Sequence, residues 1–145
     1  MVDSLYPAPD HPGWQEWRVS DSARFNHLVL GRMLVRLDDP HTARIRIEAD
    51  DRHTNVNGVM HGGAILSLID SAMFAGSTVI TAKDQMRAVT VDLQVQFLSP
   101  GILGRSIDAL VEVTRETGRM LFMRGLVVQD EERVASFTGL FRKLS

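Results

Sequence analysis

A pair of glycines and an aspartate that lies eight positions further on could do chemistry together. Gly62 and Gly63 open a long apolar segment that predicts a helix, and the first N–H groups of a helix have no intrahelical acceptor. Glycine lets a ligand approach closely, and the helix dipole adds positive potential at this end. Fixed N–H donors of this kind stabilise a carbonyl oxygen that becomes negative during a reaction.

Asp70 lies about two turns into the same segment, where a carboxylate costs free energy unless it is paired or hydrogen-bonded. A charged group kept at such a position is a candidate functional residue. Eight residues of helix rise about 12 Å, so Gly62 and Asp70 of one chain are too far apart to act on the same carbonyl carbon. Two antiparallel helices from two chains would bring them together, which predicts a dimer with two composite sites at the subunit seam.

The elements that must position these residues follow an α+β order. Two strands are predicted before the apolar segment, at 33–37 and 42–49. The segment 62–82 is too long for a strand and is apolar nearly all round, which favours a helix wrapped by other elements. Further strands are predicted at 89–97, 107–114, 120–128 and 133–141. We therefore predict one long central helix wrapped by a curved antiparallel sheet of five to six strands.

The N-terminal part of the chain carries weaker signals. Residues 1–13 contain three closely spaced prolines and are predicted to be a flexible leader, ahead of a single domain at 14–145. A short helix is predicted to follow the leader, with Trp14, Trp17 and Phe25 as buried anchors.

Composition and charge exclude several classes of protein. With 145 residues, 44% hydrophobic and 23% charged, the chain is typical of one soluble globular domain. A net charge of −2 without a block of Lys or Arg argues against nucleic acid and against a membrane surface. Asp70, near the middle of the apolar segment, argues against a membrane span. Because cysteine and a signal-peptide pattern are absent, we expect a cytoplasmic protein without disulfides or a Cys nucleophile.

Other kinds of site are poorly supported. Asp50, Asp51 and His53 are not followed by a second set of ligands, so no metal is expected. Ala64 stands where a phosphate-binding P-loop needs lysine, and there is no Gly-x-Ser-x-Gly sequence of a serine hydrolase.

The complete motif around the glycines consists of Asn55, Gly58, His61, Gly62, Gly63 and Asp70. At these spacings it resembles the signature of hotdog thioesterases of the phenylacetate-degradation type, the PaaI-like group. The resemblance extends upstream to Phe25-Asn26-His27-Leu28 with Gly31, and downstream along 89–98 to Ser99-Pro100. It implies a single hotdog domain, an acyl-CoA substrate, no metal, no cofactor apart from the CoA of the substrate, and a homo-oligomer that is a dimer or a dimer of dimers (a homotetramer).

The resemblance also implies a role for each motif residue. Asp70 would act as general base or as nucleophile toward the thioester carbonyl, which the Gly62 N–H would polarise. Asn55 would hold the attacking water or the substrate. His61 would shape the loop or hydrogen-bond near the thioester.

Thr90 falls where relatives often carry a serine or threonine that positions the water. The strand 89–97 alternates apolar and polar residues, and its apolar set should face the helix. This set is Val89, Val91, Leu93, Val95 and Phe97. Thr90 would then lie on the opposite face and reach a site only at a subunit seam.

Five further residues are candidates for substrate binding. Gly63 borders the predicted oxyanion site, and Met73 and Phe74 either line an acyl pocket or pack in the core. Arg87 and Arg119 either meet the phosphates of CoA or form a solvated strand end.

The expected function is hydrolysis of an acyl-CoA thioester to a free acid and CoA. One alternative is a hydratase or dehydratase on the same fold, in which His61 would be the base. The other is a non-catalytic module that binds acyl-CoA. The acyl group (aryl, short or long) and the carrier (CoA or acyl carrier protein) stay open.

Overall fold

The structure is a computed structural model that describes residues 4–18 and 23–144. Within these ranges the chain forms eight strands, two α-helices and a short 3-10 turn at Asp51–His53. The elements in chain order are β1 (Leu5–Pro7), β2 (Gln15–Trp17), α1 (Phe25–Leu30), β3 (Met33–Asp39), β4 (Thr42–Ala49), α2 (Gly62–Thr81), β5 (Ala88–Phe97), β6 (Arg105–Glu116), β7 (Met120–Gln129) and β8 (Glu132–Lys143).

All described strands belong to one antiparallel sheet, in the order β1-β2-β3-β4-β6-β7-β8-β5. The predicted α+β class and the long helix wrapped by a curved sheet are confirmed, but the sheet has eight strands instead of five to six. The two additional strands, β1 and β2, have three residues each and pair with one another, so the predicted leader contains a strand. Three residues are too few to show an alternating pattern.

Helix α2 lies on the inner face of the sheet and supplies much of the core. Gly76 lies so close to β6 that a Cβ added there would meet Val111 at 2.9 Å. Among the described residues α2 is the one helix long and apolar enough to cross a membrane, but more than half of it is buried in the protein. Burying each large apolar side chain stabilises the fold by about 1.5–3 kcal/mol. The fully buried residues of α2 include Leu68, Ile69, Ala72 and Met73, which pack in one core cluster with Ile45, Ile47 and Ile107 of the sheet.

The predicted aromatic anchors of the N-terminal region differ in how far they are buried. Trp17 is buried at the end of β2, as expected. The Trp14 ring is only partly buried, and the guanidinium groups of Arg36 and Arg46 lie over it, at 4.5 and 4.8 Å from its centroid. The prediction for Phe25 was wrong, because this side chain is 60% exposed on α1.

Strand β5 forms one edge of the sheet and contains a bulge. Within the part of the chain that the structure describes, it pairs with β8 alone, and the register shifts between Thr90 and Asp92. Thr90 is opposite Phe141 and Asp92 is opposite Leu140, so Val91 is the extra residue. A bulge of this kind exchanges the two faces of the strand on one side of it.

The bulge divides the predicted apolar face of β5 into two parts. After it, Leu93 pairs with Gly139, which packs against α2, so the face agrees with the prediction. Before it, Thr90 shares the inner face with the fully buried Phe141, and Val89 points outward.

Candidate active site

The Thr90 hydroxyl donates a hydrogen bond to Oδ1 of Asp70, with an oxygen–oxygen distance of 2.7 Å. Asp70 is half-buried on α2, and both residues belong to one chain. The expectation that Thr90 lies on the face of the strand opposite the helix was therefore wrong, since the bulge turns this part of β5 toward α2. A hydrogen bond to an ionised carboxylate is about twice as strong as a neutral one, so it fixes the orientation of Asp70.

His61 caps the beginning of α2 and leaves one backbone donor available. Its Nδ1 accepts from the Gly63 N–H at 2.8 Å, and its carbonyl oxygen accepts from Ala64 and Ile65 at 2.9 and 3.2 Å. The Gly62 N–H has no acceptor among the residues that the structure describes. The first turn therefore presents a single N–H, that of Gly62, to a ligand.

The cap also determines how His61 can take part in chemistry. Because Nδ1 accepts a hydrogen bond, the neutral imidazole carries its proton on Nε2, an assignment that follows from the bonding geometry. The ring is exposed, so Nε2 can donate outward but has no lone pair with which to act as a base.

Asn55 closes the loop that leads to the glycines. Its Oδ1 accepts from the backbone N–H groups of Asn57 and Val59, at 2.8 and 3.2 Å, and its own N–H donates to the Val59 carbonyl at 2.8 Å. This is an Asx turn, in which the side chain replaces a backbone acceptor. Its Nδ2 has no acceptor within 4–18 and 23–144, so this amide group can donate to a water or a substrate.

The buried His53 ties the same loop to its neighbours. Its Nε2 lies 2.5 Å from the Val29 carbonyl on α1, and its Nδ1 accepts from the Asp50 N–H at 3.1 Å. Its carbonyl oxygen accepts from His61 at 2.6 Å. The Arg52 guanidinium beside Asp50 holds the pKa of that carboxyl below its ordinary value. The contacts of His53 with Val29, Asp50 and His61 therefore hold the loop in position.

The two predicted acyl-pocket residues of α2 lie in different environments. Met73 is fully buried, and a Cβ added at Gly139 would collide with its sulfur. Phe74 is partly buried, one turn beyond Asp70, and its ring centroid is 4.3 Å from that of Phe141. Met73 is therefore a core residue within the chain, and Phe74 provides an apolar surface beside Asp70.

The predicted phosphate-binding arginines lie at the same end of the sheet. Arg87 and Arg119 are exposed, and their carbonyl groups accept from the N–H groups of Leu144 and Lys143, at 3.1 and 2.7 Å. The Lys143 ammonium contacts Glu116 at 2.6 Å and holds the pKa of that carboxyl below its ordinary value. The two arginines therefore flank the end of β8, where β5 begins.

Two neighbours of the motif were not predicted as site residues. The ring of Phe97 lies 3.5–3.6 Å from where a Cβ on Gly62 would stand, although we assigned Phe97 only to the apolar face of its strand. The Ser71 hydroxyl donates to Oδ1 of Asn26 at 3.1 Å, which joins α1 to α2 next to Asp70. The sequence signal for Phe97 was its position at the end of the alternating strand.

The candidate residues thus form two groups within one chain. One group is the Gly62 N–H with His61, and the other is Asp70 with Thr90. The eight-residue interval along α2 separates them by about 12 Å. The described residues contain no group of three or more His, Cys, Asp or Glu that could hold a metal ion.

Comparison with known proteins gives a family for this arrangement. The family described as the thioesterase superfamily matches residues 57–136, which is more than half of the chain. Acyl-coenzyme A thioesterase 13 of Homo sapiens is 25% identical over 100 residues, which cover 69% of this chain and 70% of that protein.

Solved structures show the same fold. A conserved protein of Pseudomonas aeruginosa, PA5202, superposes with a TM-score of 0.72 and 26% identity, over 83% of this chain and 94% of its own. The PaaI protein of the E. coli phenylacetic acid degradation operon superposes with a TM-score of 0.65 and 24% identity, over 75% and 81%. The chain therefore has the hotdog fold of the PaaI proteins and belongs to the thioesterase superfamily.

Proposed function

We propose that this protein hydrolyses acyl-CoA thioesters to a free acid and CoA. The observation that carries the proposal is the half-buried Asp70 carboxylate of α2, which the Thr90 hydroxyl orients. The first N–H of the same helix has no acceptor among the described residues. A carboxylate and a fixed N–H donor are the two groups that acyl transfer to water requires.

In the proposed reaction the carbonyl oxygen of the thioester accepts a hydrogen bond from the Gly62 N–H. Asp70 removes a proton from water, whose oxygen bonds to the carbonyl carbon while negative charge collects on the carbonyl oxygen. The C–S bond then breaks, and the CoA sulfur leaves and takes up a proton. In the alternative route the Asp70 carboxylate attacks the carbonyl carbon, and the C–S bond breaks so that the CoA sulfur leaves and takes up a proton. Water then hydrolyses the mixed anhydride to the free acid and regenerates Asp70. In both routes Thr90 orients the carboxylate, and the Nδ2 amide of Asn55 donates to the water or to the substrate.

We propose that each site is shared by two chains. Gly62 and Asp70 lie about 12 Å apart along one helix, which is too far for one carbonyl group. Among the described strands β5 lies at the edge and pairs only with β8, so its other edge can pair with the same strand of a second copy. Such a pairing would place two α2 helices side by side and antiparallel, with the Gly62 of one copy facing the Asp70 of the other. A dimer, or a dimer of dimers, would then carry composite sites.

The substrate would extend from this seam in two directions. Phe74, one turn beyond Asp70, would contact the apolar acyl group. Arg87 and Arg119, at the end of the sheet where β5 begins, would meet the phosphates of CoA. The proposed site needs no metal and no separate cofactor, and we propose that the protein acts in the cytoplasm.

The cap at His61 supports hydrolysis over the hydratase alternative. A hydratase of this fold would use His61 as a base, but its Nδ1 accepts from the Gly63 N–H and its Nε2 carries the proton. The second alternative, an acyl-CoA-binding module without turnover, makes a different prediction, since it requires binding without release of a thiol.

Free-thiol release tests the proposal directly. The panel contains phenylacetyl-, benzoyl-, short-chain and long-chain acyl-CoAs, assayed with wild type, Asp70→Asn and Asp92→Asn. Asp92 is an exposed carboxylate on the outer face of β5, so it is a control for loss of one negative charge. We expect thiol release by wild type and Asp92→Asn, and a loss of about 10²–10⁴-fold in Asp70→Asn.

Two results would contradict the proposal. If wild type releases no thiol from any member of the panel, the protein is not an acyl-CoA thioesterase. If a folded Asp70→Asn keeps full activity, another residue carries the reaction. If the proposal holds, a reaction in oxygen-18 water distinguishes the general-base route from the anhydride route. After a single turnover only the anhydride route can place label in Asp70.

A further inference from the structure

Phe97 lies against the backbone of the residue that is proposed to bind the thioester carbonyl. Its Cζ and Cε1 atoms are 3.5 and 3.6 Å from the position of a Cβ on Gly62, which is van der Waals contact. Phe97 pairs with the buried Ala135 of β8, so it lies on the face of β5 that is turned toward α2. We therefore expect a carbonyl group that accepts from the Gly62 N–H to have one of its substituents near the Phe97 ring.

The Phe97 ring is also available to a substrate. The side chain is 52% exposed, and Leu66, one helical turn beyond Gly62, is 38% exposed. Two large apolar side chains thus remain in contact with solvent around one N–H donor. Of the two groups attached to a thioester carbonyl, the acyl group is apolar, whereas the CoA arm carries amides that need polar partners. The apolar surroundings of Gly62 favour the acyl group on this side.

We propose that Phe97 is a specificity-determining residue that limits branching at the α-carbon of the acyl group. The inference rests on the proposed thioesterase function. The α-carbon is bonded to the carbonyl carbon, so it is the first acyl atom to meet the ring. An unbranched α-carbon presents only hydrogens toward Phe97, whereas a branched one adds a methyl group to space that the ring fills.

The test compares butyryl-CoA with isobutyryl-CoA, which have the same atoms and differ in branching at the α-carbon. The kcat/KM ratio of the two substrates is measured for wild type, Phe97→Ala, Phe97→Leu and Phe122→Ala. Phe122 is a matched control, since it is a half-exposed phenylalanine on β7, opposite Leu140. Wild type should prefer butyryl-CoA, and Phe97→Ala should reduce this preference about tenfold or more, the discrimination that one methyl group supplies in a fitted pocket. Phe97→Leu should reduce it less, and Phe122→Ala should leave it unchanged.

Three results would overturn the inference. Equal kcat/KM values of wild type for the two substrates would exclude a steric limit at the α-carbon. An unchanged ratio in folded Phe97→Ala or Phe97→Leu, with both substrates slowed alike, would place the ring away from the acyl group. Absence of thiol release from both substrates by wild type, with release from another member of the acyl-CoA panel, would overturn the inference but leave the thioesterase intact. Absence of release from every member of the panel would refute the thioesterase itself.

Discussion

The Thr90 hydroxyl and the Asp70 carboxylate are joined by a hydrogen bond of 2.7 Å between the edge strand and the central helix of the same chain. Thr90 is exposed and Asp70 is half-buried, so the carboxylate is oriented by the sheet while one side of it stays open to solvent. A base needs this combination, because it must hold one geometry and still reach a water molecule.

Removing the Thr90 hydroxyl should lower activity without unfolding the protein. Thr90→Val keeps the branched shape that suits a strand but leaves Asp70 without its donor, and a hydrogen bond to a charged group contributes about 1.5–3 kcal/mol. We expect kcat/KM to fall about 10–100-fold, which free-thiol release measures. Thr90→Ser should restore most of the activity, and Thr138→Val, on the exposed outer face of β8, should have no effect. Equal activity of Thr90→Val and wild type would show that this bond does not matter for turnover.

Two substitutions at Asn55 separate its role in the loop from its proposed role in the reaction. Asn55→Asp keeps an oxygen that accepts from Asn57 and Val59, so the free energy of unfolding should stay within about 0.5 kcal/mol of wild type. It removes the Nδ2 donor, so thiol release should fall. Asn55→Ala loses both functions and should also be less stable, by about 1–2 kcal/mol in urea unfolding. Full activity in Asn55→Asp would refute the role of the amide donor.

The two glycines at the start of α2 should respond differently to alanine. A Cβ at Gly63 would lie 2.9 Å from Nδ1 of His61 and displace the cap, so Gly63→Ala should lose about 1 kcal/mol of stability. A Cβ at Gly62 would meet Phe97 at 3.5 Å, which is ordinary contact. Because alanine is the better helix former, Gly62→Ala should be as stable as wild type or slightly more stable. Thermal unfolding of both variants checks the prediction, and a loss of stability at Gly62 equal to that at Gly63 would contradict it.

The ion pairs of Glu116 should make part of the stability depend on pH. Its carboxylate contacts Lys143 at 2.6 Å and Lys83 at 3.1 Å, and mainly the bond from Lys143 lowers the pKa of Glu116 below its ordinary value of 4.5. A depressed pKa means that the contribution is complete above pH 4.5 and is lost as the pH falls through the lower value of the folded state. Glu116→Gln should therefore be less stable than wild type near neutral pH, by about 1 kcal/mol or less.

Urea unfolding of Glu116→Gln and wild type, at about pH 7 and about pH 3, measures this difference. The gap between the two proteins should narrow at the lower pH. Glu131→Gln, which removes an exposed carboxylate outside the ion pairs of the described residues, should show no comparable change. A gap that is the same at both pH values would show that the Glu116 pairs contribute no pH-dependent stability.

The main elements of the fold could be predicted from the sequence because their patterns are long. The apolar run of α2 and the alternation in β4 and β5 extend over eight residues or more, so their periodicity is clear. The strands β1 and β2 were missed because each has three residues and their pairing depends on contacts between them. The burial of Phe25 was predicted wrongly because one apolar residue does not indicate which face of a six-residue helix packs against the core.

The sequence indicated which residues are candidates for the site but not how they are arranged in space. Residue types and spacing pointed to Gly62 and Asp70, but the alternation of 89–97 is uninterrupted and gives no sign of a bulge at Val91. The position of Thr90 follows from that bulge and could not be read from a period of two. The cap by His61 was also hidden, since it depends on a side-chain rotation that spacing alone does not determine.

The extra residue at Val91 determines the direction of the Thr90 side chain, although the pairing of β5 with β8 does not require it. If β5 were shortened by that residue, the sheet could still pair along its length, but Thr90 would no longer face Asp70. Such a deletion should give a folded protein that keeps every proposed reacting group but, like Thr90→Val, hydrolyses thioesters about 10–100-fold more slowly. Within a lineage, a change in the length of one strand, without any substitution, would therefore be enough to slow the reaction while leaving the fold unchanged.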